Sequence, residues 1–539
     1  MHFAFVIFKY FRFGGIQRDM LKMARAAQAA GHQVTVFTLR WEADPEPDLE
    51  VRVLPIEGIS RHTQYERFAE TLNDLLWREP FDLVVGFNKI PGLDVYYAGD
   101  SSYIEKSLTQ RSALYRQLPR FKSFFAAERA VFHAHSPTQI LTISSNEVPG
   151  YRHHYQTQPE RFHPLPPGIE RDRVAPPDKS PYRQRIRALL GLENDEHLLL
   201  FVGSGFIKKG LDRVLLGIAS LPPDLRQRTR LVVIGRDKVD AFARLAMRLG
   251  ITEQVTFFAE GRDDVPDFLF AADALLHPAY DETAGMVLVE AIVAGLPVLT
   301  TANCGYASFV AKHAAGIVMP GLFSQAEFDQ HLVELITSDQ RAIWISNGLR
   351  AAQTDDLFSL VPQALQHFER VARARRPVLV FTCFSMRGDS AQTQLRLQIL
   401  AGAEAAGYEV VVYCSEWQLS QPPGVRIIQV TADTFMRSRM QRALRQKLAS
   451  DARWWRPRAI VGFDAIPGIG VFLDRLSAPD ATTGWMPAAW QARRWRQALQ
   501  KDPAVHWVED VPSVATDCEL KVESQAQAYL QAVLKHSLP

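Results

Sequence analysis

The feature that most constrains this chain is an alternation that runs twice. Short apolar runs lead into glycine-bearing turns and then into helical stretches. Phe3 to Phe8 precedes Gly14-Gly15 and a helix to about Ala30; Val34 to Leu39 follows; Asp82 to Val85 runs into Gly86. Strands of this kind, spaced by helices, pair in parallel and take helices on both faces. Pro164, Pro166, Pro167 and Gly168 then break the pattern as a linker does. The alternation resumes at Leu198 to Val202 and passes through Leu231 to Ile234, Val255 to Phe258, Ala274 to His277 and Pro297 to Thr300. It closes near residue 350, before a helix to about Ala374. The expected fold class is α/β, with two Rossmann-like domains and a cleft between them. Their spans are 1–165 and 166–350, with a crossing helix and linker over 351–376.

Arg373, Arg375, Arg376 and Pro377 mark a further boundary, after which the sequence restarts at Val378 to Phe381. Residues 377–539 resemble a repeat of the first domain. Val85-Gly-Phe-Asn-Lys-Ile-Pro-Gly-Leu-Asp-Val95 is echoed by Val461-Gly-Phe-Asp-Ala-Ile-Pro-Gly-Ile-Gly-Val471. Ala30-Gly31 is echoed by Ala406-Gly407, and Gly31 to Gly86 spans the same 55 residues as Gly407 to Gly462. The copy is degenerate. Ala465 stands for Lys89 and Gly470 for Asp94, and the Gly14-Gly15 turn has only a loose counterpart around Arg387-Gly388-Asp389. A third, non-catalytic Rossmann-like domain is therefore expected.

Composition excludes several classes. A net charge of +2 over 539 residues argues against a general nucleic-acid binder. Cys304, Cys383, Cys414 and Cys518 are scattered without a CxxC pair, so neither a zinc site nor a disulfide framework is expected, and a reducing cytosol fits. Lys9 interrupts the apolar start too early for a signal core. The absence of an uninterrupted 18-residue apolar run argues against a membrane span.

Three loops carry the candidate chemistry. Phe11-Arg-Phe-Gly-Gly-Ile-Gln-Arg-Asp19 joins the first strand to the first helix, where glycines let backbone N–H groups approach a phosphate; a plain tight turn reads the same way. Val202-Gly-Ser-Gly-Phe-Ile-Lys-Lys-Gly210 occupies the equivalent place in the second domain. Lys208 and Lys209 there either sit over a diphosphate or form a solvated face. In Glu282-Thr-Ala-Gly-Met-Val-Leu-Val-Glu290 the spacing of the glutamates alone means little, but His277-Pro-Ala-Tyr280 ends a strand and Ala284 to Ala294 reads as a helix. Its start at Ala284, Gly285 and Met286 offers free N–H groups and a positive dipole end to phosphate. Glu282 can accept from sugar hydroxyls and Glu290 from ribose. No Asp-x-Asp metal clamp occurs, so lysine, arginine and a helix end are expected to neutralise a diphosphate without a metal or other cofactor.

These stretches, with Leu165-Pro-Pro-Gly-Ile169, resemble the retaining glycosyltransferases of family four, which have the GT-B fold. Within them, residues 1 to about 370 look like the lipopolysaccharide core glucosyltransferases of Gram-negative bacteria. The resemblance implies transfer of α-glucose from UDP-glucose to an inner-core heptose with retention of configuration. It makes 1–165 the acceptor-side domain and 166–350 the nucleotide-sugar domain. It implies backbone contacts from Gly15 and Ile16 to the donor, diphosphate binding by Arg173, Lys208 and Lys209, glucose binding by Glu282 and ribose binding by Glu290. Asp19 and Asp100 are acidic candidates near the acceptor. The family's arginine-lysine pair is Lys208-Lys209 here, which keeps the charge but loses the bidentate fork. Retention is open to a double displacement or to a same-face route that needs only a stabilised leaving group and an aligned acceptor.

Residues 103–132 carry Lys106, Arg111, Arg116, Arg120, Lys122 and Arg129 against only Glu105 and Glu128, with Tyr103, Tyr115, Phe121, Phe124, Phe125 and Phe132 between them. Basic and aromatic residues so mixed suit an anionic membrane surface, with Arg111, Arg116, Arg120, Lys122, Phe124 and Phe125 as the contact. A helix packed on the domain core is the alternative. A peripheral place on the cytoplasmic face of the inner membrane follows from the resemblance. Trp485, Trp490, Arg493, Arg494, Trp495 and Arg496 form a second such cluster in the repeat. Two other functions fit the same residues: a hexosyltransferase with another sugar or acceptor, and an inactive scaffold for core assembly.

Overall fold

The structure, a computed structural model, describes residues 1–430 apart from 13, 59, 80 and 261, and beyond them residues 443, 447, 459–462 and 483–485. Within these residues the strands form three sheets, and every pairing between strands is parallel. The first sheet holds β1 (His2–Phe11), β2 (Gln33–Glu42), β3 (Glu50–Val53), β4 (Leu83–Gly86), β5 (Val95–Ala98), β6 (Gln139–Thr142) and β7 (Phe162–Pro164), in the order β3-β2-β1-β4-β5-β6-β7. The second holds β8 (His197–Val202), β9 (Thr229–Ile234), β10 (Val255–Phe258), β11 (Ala274–His277), β12 (Val298–Thr301) and β13 (Gly316–Met319), in the order β10-β9-β8-β11-β12-β13. The reversal of direction beside β1 and beside β8 is the Rossmann switch point, where ligands sit outside the carboxyl ends of the strands.

Local sequence accounts for these elements. Leu83, Val84, Val85 and Gly86 are all buried, because helices cover both faces of the sheet. The helix Gly15–Ala29 buries Met20, Met23, Ala24 and Ala27, one face at helical spacing. It stops at Ala30 because Gly31 takes a φ of +83°, a left-handed turn that glycine enters without strain. The helix Leu360–Ala374 returns from the second domain and inserts Leu360, Ala364 and Phe368 into the core of the first, beside Phe3, Phe5 and Val85. Gly168 lies beneath it: a Cβ there would come within 2.8 Å of the Leu360 side chain, so the link between the domains needs glycine.

The third sheet holds β14 (Val378–Met386), β15 (Glu409–Trp417), β16 (Val425–Gln429), β17 (Ala459–Gly462) and β18 (Thr483–Trp485), in the order β16-β15-β14-β17-β18. This is the order of the first five strands of the first sheet. The register is the same as well. Phe3 faces Leu83 and Leu379 faces Ala459; Thr35 faces Glu50 and Val411 faces Arg426; the helix Gly15–Ala29 recurs as Ala391–Ala405. Every one of these pairs is displaced by the same 376 positions. The correspondence corrects the sequence alignment at two places. The counterpart of Gly14-Gly15 is Ser390-Ala391, not Arg387-Gly388-Asp389, because the helices begin in register. Beyond Gly462 the copy diverges, since Val461 faces Gly484 and not Val471. Ala465, Gly470, Trp490, Arg493, Arg494, Trp495 and Arg496 lie outside the described residues.

Candidate active site

The carboxyl ends of the first two sheets face one another across a cavity of about 880 Å³. Gly15, Ile16, Asp19 and Asp100 line it from the first domain, and Lys208, Lys209, Glu282, Ala284, Gly285, Met286 and Glu290 from the second, with Arg173 on the connection between them. The structure thus brings together every candidate donor-binding and acidic residue.

The lysine loop follows β8. Gly203 takes a φ of +132°, and a Cβ there would lie 2.7 Å from the Lys209 side chain, so glycine lets Lys209 fold back over the strand end. Lys209 is largely buried and ion-paired with Glu282. Lys208 is 68% exposed and reaches Asp281 at 3.9 Å, which leaves its ammonium available to a ligand. Arg173 closes this side. Its Nε and Nη1 are buried without a hydrogen-bond partner among the described residues, although Asp172 Oδ1 lies 3.4 Å from Nε.

Glu282 is fixed through its backbone. Its carbonyl accepts from Gly305 N at 3.1 Å, and the Ala284 carbonyl accepts from Tyr306 N at 2.8 Å. A Cβ on Gly305 would come within 2.1 Å of the Thr283 carbonyl, so this close pairing needs glycine. Burial pushes the Glu282 carboxyl up, but His277 and the Lys209 ammonium outweigh it and hold the carboxyl well below its ordinary range. His277 Nε2 lies 3.7 Å from Glu282 Oε2, beyond hydrogen-bond reach, and neither ring nitrogen has a hydrogen-bond partner among the described residues. Burial also lowers the His277 pKa.

The helix after Glu282 runs from Met286 to Val293, shorter than the expected 284–294. Gly285, with a φ of +74°, is the residue before its first turn, a conformation that cannot continue a helix. Ala284 therefore belongs to the loop. The helix still directs its N-terminal end at the cavity, and Glu290, buried one turn further in, lines the same wall.

On the first-domain side, the Asp19 carboxylate accepts from the Tyr97 hydroxyl at 2.7 Å. Burial raises its pKa against the pull of Tyr97, Lys22 and Arg18. Asp100 is half exposed, accepts from the Tyr96 hydroxyl and lies 3.5 Å from Lys89 Nζ. Lys89 is buried and donates to Glu128 and to the Ser101 carbonyl, each at 2.7 Å. Burial works against its charge, but Asp100 and Glu128 raise its pKa well above the ordinary value.

Gly235 and Arg236, which also line the cavity, were not singled out from the sequence. Their place at the end of β9 is the signal: a Gly-Arg pair directly after a buried parallel strand. Lys106, read from the sequence only as part of the basic segment, and Asp281, not singled out, escaped the cleft assignment for another reason. They form an ion pair across the cleft, and nothing in a sequence brings positions so far apart together.

Residues 103–132 fold as the helices Tyr103–Thr109 and Pro119–Phe132 around a short 3-10 turn, Ala113–Gln117. Arg111, Arg116, Arg120 and Lys122 are exposed, as a surface contact requires. Phe124 and Phe125 are not placed as expected. Phe125, half-buried, stacks on Phe121 at 5.5 Å against the edge of the core, and Phe124 packs against Tyr65 and Tyr103 on the cleft wall. The helix turns this face inward, where burial of the rings is favoured. The apolar side chains left outside are Leu108, Leu114 and Leu118, with Leu114 80% exposed.

Two facing Rossmann-like domains with basic and acidic groups at their strand ends define a glycosyltransferase of the GT-B type. Two family models match accordingly, Glycosyltransferase Family 4 over residues 13–173 and Glycosyl transferases group 1 over residues 183–350. The chain is 43% identical over 362 residues to lipopolysaccharide glucosyltransferase WaaG of Escherichia coli K12, covering 67% of this chain and 96% of that protein, and it belongs to that family. A crystal structure of WaaG superposes with a TM-score of 0.65 at 42% identity, over 68% of this chain and 99% of the other. A D-inositol 3-phosphate glycosyltransferase of Stackebrandtia nassauensis is 25% identical over 66% of this chain and 87% of its own length. Sucrose-phosphate synthase of Thermosynechococcus elongatus shares the fold, with a TM-score of 0.57 at 18% identity over 69% of this chain and all of the other. Among the described residues no helix is long and apolar enough to cross a membrane.

Proposed function

We propose that this chain transfers glucose from UDP-glucose to a heptose of the lipopolysaccharide inner core, with retention of configuration, from the cytoplasmic face of the inner membrane. Arg173 carries the reading of the donor site. Its buried Nε and Nη1 have no hydrogen-bond partner among the described residues, a desolvation cost that a bound diphosphate would offset. Lys208, the glycine-bearing loop after β8 and the N-terminus of the helix Met286–Val293 converge on the same space. These groups suffice for the charge of a leaving diphosphate, so the transfer needs no metal. Glu282, held ionised, takes the hydroxyls of the hexose, and Glu290 those of the ribose. The sugar and the acceptor follow from membership in a family whose 43%-identical member is named a lipopolysaccharide glucosyltransferase.

The test is UDP release from UDP-glucose with heptose-terminated lipopolysaccharide, in the presence of a chelator. Acceptor-dependent release is expected, and replacing Arg173 by alanine should weaken UDP binding by roughly 10- to 100-fold, the scale of charge-assisted hydrogen bonds. Release with no acceptor dependence, or inertness toward UDP-glucose, would overturn the reading.

The membrane contact is assigned to Arg111, Arg116 and Arg120 with Leu114 and Leu118 between them, all exposed on one segment. Each arginine is expected to contribute about 1 kcal/mol on anionic lipid. Reversing all three charges should abolish sedimentation with phosphatidylglycerol vesicles at 0.1 M salt. Unchanged sedimentation would remove the segment from the interface.

A further inference from the structure

The aromatic side chains of the cavity are distributed unevenly. Phe8, Phe11, Tyr65, Tyr103 and Phe124 all come from the first domain; among the described residues the second domain's lining has no aromatic ring and combines charged and small residues with the aliphatic side chains of Ile234, Val265 and Met286. We propose that Tyr65, Phe8, Phe124 and Tyr103 form a carbohydrate platform that holds the acceptor's sugar ring in the first-domain half of the cleft. That the ring belongs to an acceptor rests on the transfer proposed above.

The rings form a fixed group. Tyr65 stacks on Phe8 at 3.9 Å with planes 10° apart, and meets Phe124 edge-on at 5.8 Å and 79°. Tyr103 lies 5.3 Å from Phe124. Tyr65 stands in the first turns of the helix Arg61–Arg78, whose start is locked by a capping box between Ser60 and Thr63. A sugar presents one face of C–H groups and a rim of hydroxyls, and so needs an apolar wall with a few polar groups at its margin. The margin is present. Asn88 accepts from the Phe8 N–H at 2.7 Å through its Oδ1, which leaves its amide N–H groups to donate. The Asp100 carboxylate, which lines the same cavity and is 44% exposed, can accept. Lys89, by contrast, is spent on Glu128, Asp100 and the Ser101 carbonyl, and positions Asp100 without meeting the sugar. Tyr103 and Phe124 belong to the segment that carries the exposed arginines. The platform is thereby joined through one segment to the surface proposed to meet the lipid.

The experiment is a titration, in the presence of UDP, of a lipid-free inner-core oligosaccharide ending in heptose, followed by saturation-transfer NMR. The full chain is expected to bind it. Tyr65→Leu and Phe124→Leu, which keep bulk but lose the ring, should each weaken binding about tenfold, the scale of one well-made aromatic contact, whereas Tyr65→Phe should bind like the wild type. Binding of UDP, and sedimentation with anionic vesicles, should be unchanged in all three. Equal oligosaccharide affinity in the wild type and both leucine variants overturns the platform, as does a Phe124→Leu defect confined to vesicle sedimentation. Oligosaccharide binding that needs Tyr65 in a protein inert to UDP-glucose would leave the platform standing and remove the donor reading instead.

Discussion

Replacing Glu282 by alanine is expected to lower glucose transfer at least ~100-fold while UDP binding changes little. The loss of one contact made to developing charge is of this size. The carboxylate sits in a loop pinned by Gly305 and Tyr306, is paired with Lys209, and has His277 close behind it. Its pKa lies well below the ordinary carboxylate range, so it stays charged at every pH where the protein is handled. No acid limb in the rate near pH 4–5 should then trace to it. Glu282→Gln keeps the shape but frees Lys209, and is expected to lose nearly as much. The check is kcat and KM for UDP-glucose, beside UDP affinity by calorimetry. A fall of less than fivefold in kcat would take Glu282 out of the reaction.

Removing Glu128 should have the largest effect on stability. Its carboxylate is fully buried and accepts from Lys89 at 2.7 Å, the Tyr103 N–H at 2.6 Å, the Ile104 N–H at 3.0 Å and the Tyr155 hydroxyl at 2.8 Å. One side chain thus ties β4's outgoing loop to both helices of the 103–132 segment. Alanine would leave the Lys89 ammonium buried with the Ser101 carbonyl and a more distant Asp100 carboxylate in place of its close ion pair, at a cost of about 3–5 kcal/mol in urea unfolding. The paired change Lys89→Met with Glu128→Leu should recover most of that. The pH dependence has a definite sign. Burial raises the Glu128 pKa, but Lys89 and the surrounding donors lower it further, so the folded value lies below the unfolded one of about 4.3. Its stabilisation is therefore complete above about pH 4.3 and is lost as pH falls through the folded value. The gap between wild type and Glu128→Ala should narrow only in that acid range. A constant gap down to pH 2 would mean that the charge contributes nothing.

The sequence is a good guide where chemistry is local. The strand runs, the glycine turns and the two glutamates of the second domain are adjacent in the chain, so period and spacing place them at strand ends. Repetition was also legible, because Gly31 and Gly407 end equivalent helices in left-handed turns and Gly86 and Gly462 end equivalent strands. The exact alignment was not. Arg387-Gly388-Asp389 looks more like a glycine turn than Ser390-Ala391 does, and only the strand register shows which pair stands at the helix start. That register also puts Leu395, buried at 5% exposure, where the first domain has Asp19. Composition misjudged Phe124 for a related reason. Aromatic residues among arginines read alike whether the ring faces lipid or a cleft, and the choice is made by Tyr65, a residue 59 positions away. Arg173 was named only through resemblance, since an arginine in a proline-rich link carries no local mark of a buried guanidinium.

The return of helix Leu360–Ala374 into the first domain sets an order of events during synthesis. Phe5 meets Phe368 edge-on at 5.8 Å, so the core that begins at Phe3 is closed by a helix encoded past the whole second domain. From the end of β7 to Leu360 lie 196 residues, which a ribosome adds in roughly 10–40 s at ~5–20 residues per second. Throughout that interval the first domain leaves the ribosome with an apolar groove where its last helix belongs. The second domain's own core takes in Leu357, just before Leu360, so both domains complete their cores within the same short stretch of chain.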